Sequence, residues 1–211
     1  MKGGVLITFE GIEGSGKSTH LHLAEEFLRA EGLPTVVTFE PGATPLGREL
    51  RQLLLSATLP LQPLAELFLF LADRAEHVRQ VIKPALEAGK VVLCDRFVDS
   101  TTAYQGYGRG LDLAFVKEGN RRATGGIWPR LTILLDCEVE VGLARTRGVD
   151  RFEEEGVEFH KRVREGYLRI AEEEPLRVKV VDSSHRPKGD VQGEIRGILR
   201  GFLEEWVSGG L

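Results

Sequence analysis

A glycine-rich segment near the amino terminus carries the clearest chemical signal in this sequence of 211 residues. It reads Gly11-Ile12-Glu13-Gly14-Ser15-Gly16-Lys17-Ser18-Thr19 and fits the pattern G-x-x-x-x-G-K-[ST] directly after a short apolar run. In such a loop, backbone N–H groups converge on phosphate oxygens, and the positive end of the following helix adds to the attraction. We expect Lys17 to reach the β and γ phosphates of a nucleotide and Ser18 to ligate Mg²⁺. The competing interpretation is a glycine-rich turn with an exposed lysine.

Two acidic positions are expected to stand beside this loop. A carboxylate at Glu13 that faced phosphates would be repelled, so we expect it to point towards a second ligand, such as a sugar hydroxyl; the alternative is a solvated loop carboxylate. Asp95 and Arg96 follow an apolar run and should lie at the carboxyl edge of a sheet, where ligands bind. There Asp95 can hold Mg²⁺ through water, and Arg96 can clamp a phosphate. The alternative is a structural Asp–Arg pair.

Three arginines follow the fourth apolar run, namely Arg145, Arg147 and Arg151, in a segment that contains glycine. We expect a lid over about residues 142–155, whose guanidinium groups close over a transferring phosphoryl group and stabilise its charge. The alternative is an exposed face on which the arginines pair with the acidic residues at 153–155.

The strands and helices that must position these site residues are predicted by a regular alternation of apolar runs and helical patterns. The runs predict strands at Val5–Phe9, Thr35–Phe39, Val91–Cys94, Thr132–Leu135 and Val178–Val181. The segments between and after them predict helices at about Ser18–Ala30, Leu46–Leu55, Leu64–Ala88, Asp112–Ala123, Val139–Arg147, Val157–Glu174 and Lys188–Val207. Strands that alternate with helices imply parallel crossovers. We predict one domain over residues 1–211, with a doubly wound α/β fold and a parallel five-stranded sheet covered by helices on both faces.

The third predicted helix is apolar all round at Leu67–Ala72. A helix of that kind has no polar face to offer to solvent, so it should pack on two sides. One interpretation is a central core helix. The other is a helix shared between the sheet and a subunit interface.

Composition narrows the class of protein. The chain has 28 basic and 32 acidic residues, a net charge of −4, which argues against a general surface for nucleic acid or anionic membrane. No apolar stretch is long enough for a signal peptide or a membrane span. We therefore expect a soluble cytoplasmic protein with neither nucleic acid nor membrane as a partner. Cys94 and Cys137 are expected to be buried thiols.

Phosphate loops occur in motors, switches and small-molecule kinases, so the loop alone does not settle the function. A GTPase would show D-x-x-G after its metal-binding strand and N-K-x-D to read the base. Asn120, the only asparagine, is followed by arginine, and the only D-x-x-G pattern lies at residues 190–193. A GTP-binding switch is the alternative from a different class.

Several segments, in the right order, resemble the thymidylate kinase family over nearly the whole chain. The loop resembles G-x-[DE]-G-[AS]-G-K-[ST]-T, and residues 39–44 resemble R-E-P-G-G-T. Residues 68–74 resemble the aromatic-to-arginine helix of the family's base pocket. The most specific match is at residues 93–105, which follow D-R-[FYH]-x-x-S-x-x-A-[YF].

The resemblance implies a P-loop nucleoside monophosphate kinase fold, a homodimer, and Mg²⁺-assisted phosphoryl transfer from ATP to dTMP in dTTP biosynthesis. It implies that the loop from Gly11 to Thr19 binds ATP and that Lys17, Arg96 and the lid arginines act in catalysis. The residues it assigns to dTMP are Glu13, Pro41, Phe70, Arg74, Arg96, Ser100, Thr101, Tyr104 and Gln105. Phe70 would stack on thymine, Arg74 would donate to its O4, and Tyr104 would lie against the deoxyribose. Without the resemblance, Phe70 would be assigned to the core.

Two departures from the family pattern affect the expected charges. Phe39 stands where bacterial members usually have arginine, and the phosphate loop has no arginine of its own. The resemblance therefore implies that the lid arginines carry the charge stabilisation. Another nucleoside monophosphate kinase, or a small-metabolite kinase of the same fold, is the alternative among enzymes.

Overall fold

The computed structural model describes residues 3–56, 59–146 and 151–208 and contains a five-stranded sheet. The strands are β1 (Val5–Glu10), β2 (Thr35–Phe39), β3 (Val91–Asp95), β4 (Leu131–Asp136) and β5 (Val178–Asp182). Their spatial order is β2-β3-β1-β4-β5, and every neighbouring pair is parallel. The predicted doubly wound sheet is confirmed, with each strand within one residue of its expected bounds.

Helices connect the strands and cover both faces of the sheet. They are α1 (Lys17–Ala30), α2 (Pro45–Leu55), α3 (Pro63–His77), α4 (Lys83–Glu87), α5 (Val98–Thr101), α6 (Leu113–Thr124), α7 (Val139–Ala144), α8 (Val157–Glu173) and α9 (Lys188–Ser208). Two π-helical segments, Val78–Ile82 and Thr102–Gly108, continue α3 and α5 respectively. The residues at 98–108, which follow β3, were not predicted to be helical.

Apolar clusters lie on both sides of the sheet. On one face, Leu21 and Leu28 of α1 and Ile195 of α9 are buried together with alternate residues of β1. On the other face, Val163 of α8 is buried in a cluster that includes Leu134 of β4. β1 lies in the middle of the sheet and is buried along its whole length. This burial explains why its sequence is apolar rather than alternating.

The long third helix differs from its prediction in two ways. The chain is helical from residue 63 to 87, but residues 78–82 are π-helical rather than α-helical. The interpretation as a central core helix is wrong for one face, because Phe68 is 52% exposed and Leu64 is 45% exposed. Phe68 meets Phe115 of α6 edge to face, with ring centroids 6.3 Å apart. This apolar face is therefore covered only in part, and Phe68 and Leu64 stay about half exposed.

No helix within the described ranges combines the length and the apolar character needed to cross a bilayer.

Candidate active site

A cavity of about 600 Å³ opens at the carboxyl edge of the sheet, where β1, β2 and β3 end. Its walls come from the phosphate loop, the segment after β2, α3 and the helical segment after β3. All of the residues assigned to dTMP by sequence line it, and so do four residues of the phosphate-loop site, Gly14, Lys17, Ser18 and Asp95. The structure thus brings together groups that are scattered over about ninety residues of sequence.

The phosphate loop packs closely against Gly142 of α7. Gly14 has a φ of +68°, and a Cβ at this position would meet the carbonyl oxygen of Gly142 at 2.0 Å, so only glycine fits. Lys17 is buried, and its Nζ donates to the carbonyl of Ile12 at 2.7 Å. Burial and then the nearby charge of Arg96 lower the pKa of Lys17 to about 8. Lys17 is therefore held against the phosphate loop, where we expect it to contact the nucleotide phosphates.

Ser18 and Asp95, the two residues predicted to hold Mg²⁺, are in direct contact. The Ser18 hydroxyl donates to Asp95 Oδ2 at 2.5 Å, and this contact brings two hard oxygen ligands together. Arg96 forms its ion pair with Glu13, at 2.9 Å, and none is seen between Arg96 and Asp95 within the described ranges. The described residues contain no group of three or more His, Cys, Asp or Glu suited to a metal. An ion here would also need phosphate oxygens and water, as Mg²⁺ bound with nucleotides usually does.

Arg96 is held in an unusual backbone conformation beside the loop. Its φ is +67°, in the left-handed region that only glycine enters without cost. Its Nη2 donates to Glu13 Oε1 at 2.9 Å, and its Nη1 donates to the carbonyl of Gly11 at 3.1 Å. The guanidinium also lies 5.0 Å from the centre of the Tyr104 ring. These contacts fix a permanent positive charge at the cavity wall.

Glu13 does not project freely into solvent. The Tyr104 hydroxyl lies 2.6 and 2.7 Å from its two oxygens and donates to them. His160 Nδ1 lies 3.3 Å from Oε2, and the His160 side chain is fully buried. Burial by itself would raise the pKa of Glu13, but Arg96 and His160 hold it well below its usual range. The carboxylate is therefore ionised and directed at Arg96 and Tyr104.

Arg74 is an interior residue and not an exposed helix charge. It is 1% exposed, and its Nε donates to Glu40 Oε2 at 2.9 Å. Its Nη1 donates to Thr101 Oγ1 at 2.8 Å and to Asn120 Oδ1 at 2.5 Å. Sequence analysis missed Glu40 and Asn120, because nothing in a single sequence shows that β2, α3 and α6 converge on one guanidinium.

Glu10, the last residue of β1, is a second unforeseen member of the site. Its Oε1 accepts from the amide of Phe97 at 2.7 Å, and its Oε2 accepts from the Ser100 hydroxyl at 2.6 Å and from the Tyr167 hydroxyl at 3.1 Å. Burial, with a contribution from Asp99, raises the pKa of Glu10 to about 7. An acidic residue that ends an apolar run was the available signal.

The predicted lid arginines contact different parts of the molecule. Arg145 Nη1 donates to the carbonyl of Gly14 at 3.3 Å, and its Nη2 donates to the carbonyl of Ser184. Arg151 Nη1 donates to Glu66 Oε2 at 2.7 Å, and its guanidinium lies 4.8 Å from the ring centre of Phe152, which lines the cavity. Arg147 lies outside the described residues. The two described arginines are therefore not gathered in one cluster, and their role at the phosphoryl group stays a prediction.

Arg51 supplies a positive charge next to Phe39, the position at which the family pattern has an arginine. Phe39 is 44% exposed, and the Arg51 guanidinium lies 5.8 Å from the centre of its ring. Arg51 Nη1 donates to the carbonyl of Pro41 at 2.8 Å, and Arg51 lines the cavity. Sequence analysis did not single out Arg51, because on a helix of mixed polarity it resembles an ordinary surface charge.

Comparison with known proteins gives a consistent result. The family model described as thymidylate kinase matches residues 9–195. A thymidylate kinase from Desulfovibrio desulfuricans is 52% identical over 210 residues, which cover 94% of this chain and 96% of that protein. One from Trichormus variabilis is 47% identical over 211 residues, or 97% of this chain and 100% of its own length. The crystal structure of thymidylate kinase from Ehrlichia chaffeensis superposes with a TM-score of 0.77 at 38% identity, and the match covers 94% of this chain and 99% of that one. On the fold, the cavity and these matches, the chain belongs to the thymidylate kinase family.

Proposed function

We propose that this chain, as a thymidylate kinase that converts dTMP to dTDP with ATP, binds its two nucleotides at the cavity where β1 and β3 end. The observation that carries the proposal is the meeting of Lys17, Arg96 and the Ser18–Asp95 pair at one sheet edge. Two anionic phosphate chains approach each other in this reaction, so cations and a metal site are needed between them.

The donor side is the phosphate loop. Backbone N–H groups from Gly11 to Thr19 cradle the ATP phosphates, and Lys17 approaches the β and γ phosphates. Ser18 and Asp95 would hold Mg²⁺, which supplies charge neutralisation and orientation of the phosphate oxygens. The 2.5 Å contact between these two side chains fits that role.

The acceptor side is the wall formed by α3 and the segment after β3. Phe70 stacks on thymine, Arg74 donates to its O4, and Ser100, Thr101 and Gln105 lie near the base, with Pro41 opposite. Tyr104 and Glu13 adjoin the deoxyribose. Arg96 binds the acceptor phosphate, since a guanidinium matches phosphate oxygens in pairs.

Catalysis on this arrangement needs alignment and charge neutralisation rather than a base. A phosphate monoester has a second pKa of about 6, so the attacking oxygen is ionised at neutral pH. Lys17 and Arg96 hold the reacting groups in line. The lid over about residues 142–155 adds Arg145, Arg147 and Arg151, and an arginine of this type contributes on the order of 10³ to 10⁵ in rate in related chemistry.

The exposed apolar face of α3 and α6 supports a homodimer. Phe68, Leu64 and Phe115 are each about half exposed and lie on adjacent helices. An apolar patch of this kind on a helix surface is typical of an interface, and a two-fold axis would bury each patch against its copy.

The decisive test is ADP release with ATP and each of dTMP, dUMP, AMP, GMP, UMP and CMP. We expect dTMP to be the preferred acceptor and dUMP to be poorer by about 1 to 3 kcal/mol, because a methyl group supplies no more discrimination than that. Lys17→Ala and Arg96→Ala should each abolish most turnover while the fold is retained by circular dichroism. Arg122→Ala, at an exposed site on α6, is the matched control. Near-normal turnover of either variant would remove that residue from the mechanism.

A further inference from the structure

A chain of buried hydrogen bonds leads from β2 to the cavity wall. Thr38 Oγ1 lies 2.6 Å from His77 Nε2, and His77 Nδ1 lies 2.8 Å from Glu40 Oε1. The other oxygen of Glu40 accepts from Arg74 Nε at 2.9 Å and forms an ion pair with Arg74 Nη2 at 2.7 Å. All four side chains are buried, and those of His77 and Arg74 have 1% exposure or less.

The chemistry of the partners fixes the direction of this chain. An ionised carboxylate only accepts hydrogen bonds, so His77 Nδ1 must carry a proton and donate it to Glu40. In the neutral ring Nε2 is then an acceptor, and the Thr38 hydroxyl donates to it. Glu40 is thereby held from one side by His77 and holds Arg74 on the other. His77, held by Thr38, thus orients the Glu40 carboxylate, as residues behind a functional site orient the groups that form it.

Arg74 is left with one orientation. Three of its N–H groups have hydrogen-bond acceptors: Nε donates to Glu40, and Nη1 donates to Thr101 and Asn120. Nη2 lies in ion-pair contact with Glu40 Oε2, at 2.7 Å. One Nη2 hydrogen has no acceptor among the described residues, and Arg74 lines the cavity. A guanidinium has donors and no acceptor, so the wall it forms suits a carbonyl oxygen and opposes an amino group.

We propose that Glu40 and His77 are positioning residues that determine the choice of acceptor base by fixing the donor face of Arg74. The inference rests on the proposed function, in which Arg74 faces the edge of the pyrimidine. A base with a carbonyl at that edge completes the donor set. A base with an amino group, as in dCMP, leaves a buried donor facing another donor and is rejected.

The test compares kcat/KM for dTMP with kcat/KM for dCMP in variants of the chain. His77→Leu removes the donor to Glu40 at similar volume, and we expect the dTMP-to-dCMP ratio to fall by about tenfold or more, mainly through a higher KM for dTMP. His77→Gln keeps a donor for Glu40 and an acceptor for Thr38, so it should restore most of the ratio. Failure of His77→Gln to differ from His77→Leu overturns the proposal.

Two further variants keep the test decisive if His77→Leu does not fold. Thr38→Val removes only the far donor, and we expect a smaller fall in the ratio of about threefold. Ile82→Ala truncates a fully buried residue that lies outside this hydrogen-bond chain in the same helical run. It should lower the melting temperature and leave the ratio unchanged. An equal fall in Ile82→Ala would assign the effect to general loosening and overturn the proposal.

Arg74→Lys separates this inference from the proposed function. An unchanged ratio in Arg74→Lys would mean that Arg74 does not read the base, and the proposed acceptor site would fail. A lowered ratio in Arg74→Lys together with unchanged ratios in Glu40→Gln and His77→Leu would overturn the positioning role alone.

Discussion

Ser18 Oγ and Asp95 Oδ2 lie 2.5 Å apart, although 77 residues separate them in sequence. The contact exists because β1 and β3 are neighbours in the sheet, with Phe9 beside Asp95. The loop that follows β1 therefore begins where β3 ends. Parallel order places the donor site and the metal site at one edge.

Asp95→Asn should weaken the Mg²⁺ binding that we propose for the Ser18–Asp95 pair. We expect the Mg²⁺ concentration for half-maximal rate to rise by about 10 to 100-fold, because the amide removes a charge that holds the ion. An Mg²⁺ titration of the initial rate at saturating nucleotides measures it. Asp136→Asn is the control, since Asp136 ends β4 and pairs with Arg164 at 2.6 Å. The same shift in both variants would contradict a metal role for Asp95.

Arg151→Ala should lower kcat more than it raises the KM for dTMP, because a lid arginine acts late, and the loss should be on the order of 10³ in rate. The variant also removes an ion pair with buried Glu66, so the melting temperature should fall. Arg109→Ala is the matched control, since Arg109 contacts the same carboxylate at 3.1 Å. It should lower stability without the fall in kcat. A raised KM alone in Arg151→Ala would exclude the catalytic role.

Phe68→Asp should convert a dimer to a monomer, because a charge in the centre of a small apolar interface is costly to desolvate. Sedimentation equilibrium measures the change. Leu176→Asp is the control, since Leu176 is 91% exposed and belongs to neither α3 nor α6. An unchanged mass for Phe68→Asp, or a monomeric parent chain, would rule out this interface.

Glu10→Gln should change how stability depends on pH. Burial raises the pKa of Glu10 to about 7 from 4.5, so the folded protein binds this proton more tightly than the unfolded chain does. Its stabilising contribution is complete below pH 4.5 and is lost as the pH rises to about 7.

Glutamine has no proton to lose. The free energy of unfolding of Glu10→Gln, relative to the parent chain, should therefore increase by about 3 kcal/mol between pH 4.5 and 7.5. Urea unfolding at a series of pH values measures the difference, and any cost of the amide that does not vary with pH cancels. Parallel pH profiles would show that Glu10 does not titrate in this range.

The sheet could be predicted because its signals are local. Apolar runs, their spacing and the glycine-rich loop after the first run define order and direction without tertiary information. The helical segment at 98–108 was missed because its residues are polar and buried, which gives no periodic apolar stripe.

Site residues could be predicted where they belong to a sequence motif. They could not be predicted where their hydrogen-bond partners come from distant elements of the fold. Lys17 and Asp95 belong to recognisable patterns. Glu66 is an example of the other kind: it is fully buried, and Gln105, Arg109 and Arg151 all donate to it from two separate parts of the chain. A glutamate in the first turn of a helix ordinarily serves the helix dipole, so its sequence context suggests a surface residue.

The positive φ of Arg96 has a torsional cost of about 1 kcal/mol that glycine would relieve. Glycine would also delete the guanidinium that pairs with the largely buried Glu13 carboxylate at 2.9 Å, and a buried charge left without its partner costs more than that relief. The ion pair therefore offsets the backbone cost. Selection for heat resistance and selection for turnover both favour arginine here, so a screen for melting temperature alone would retain it.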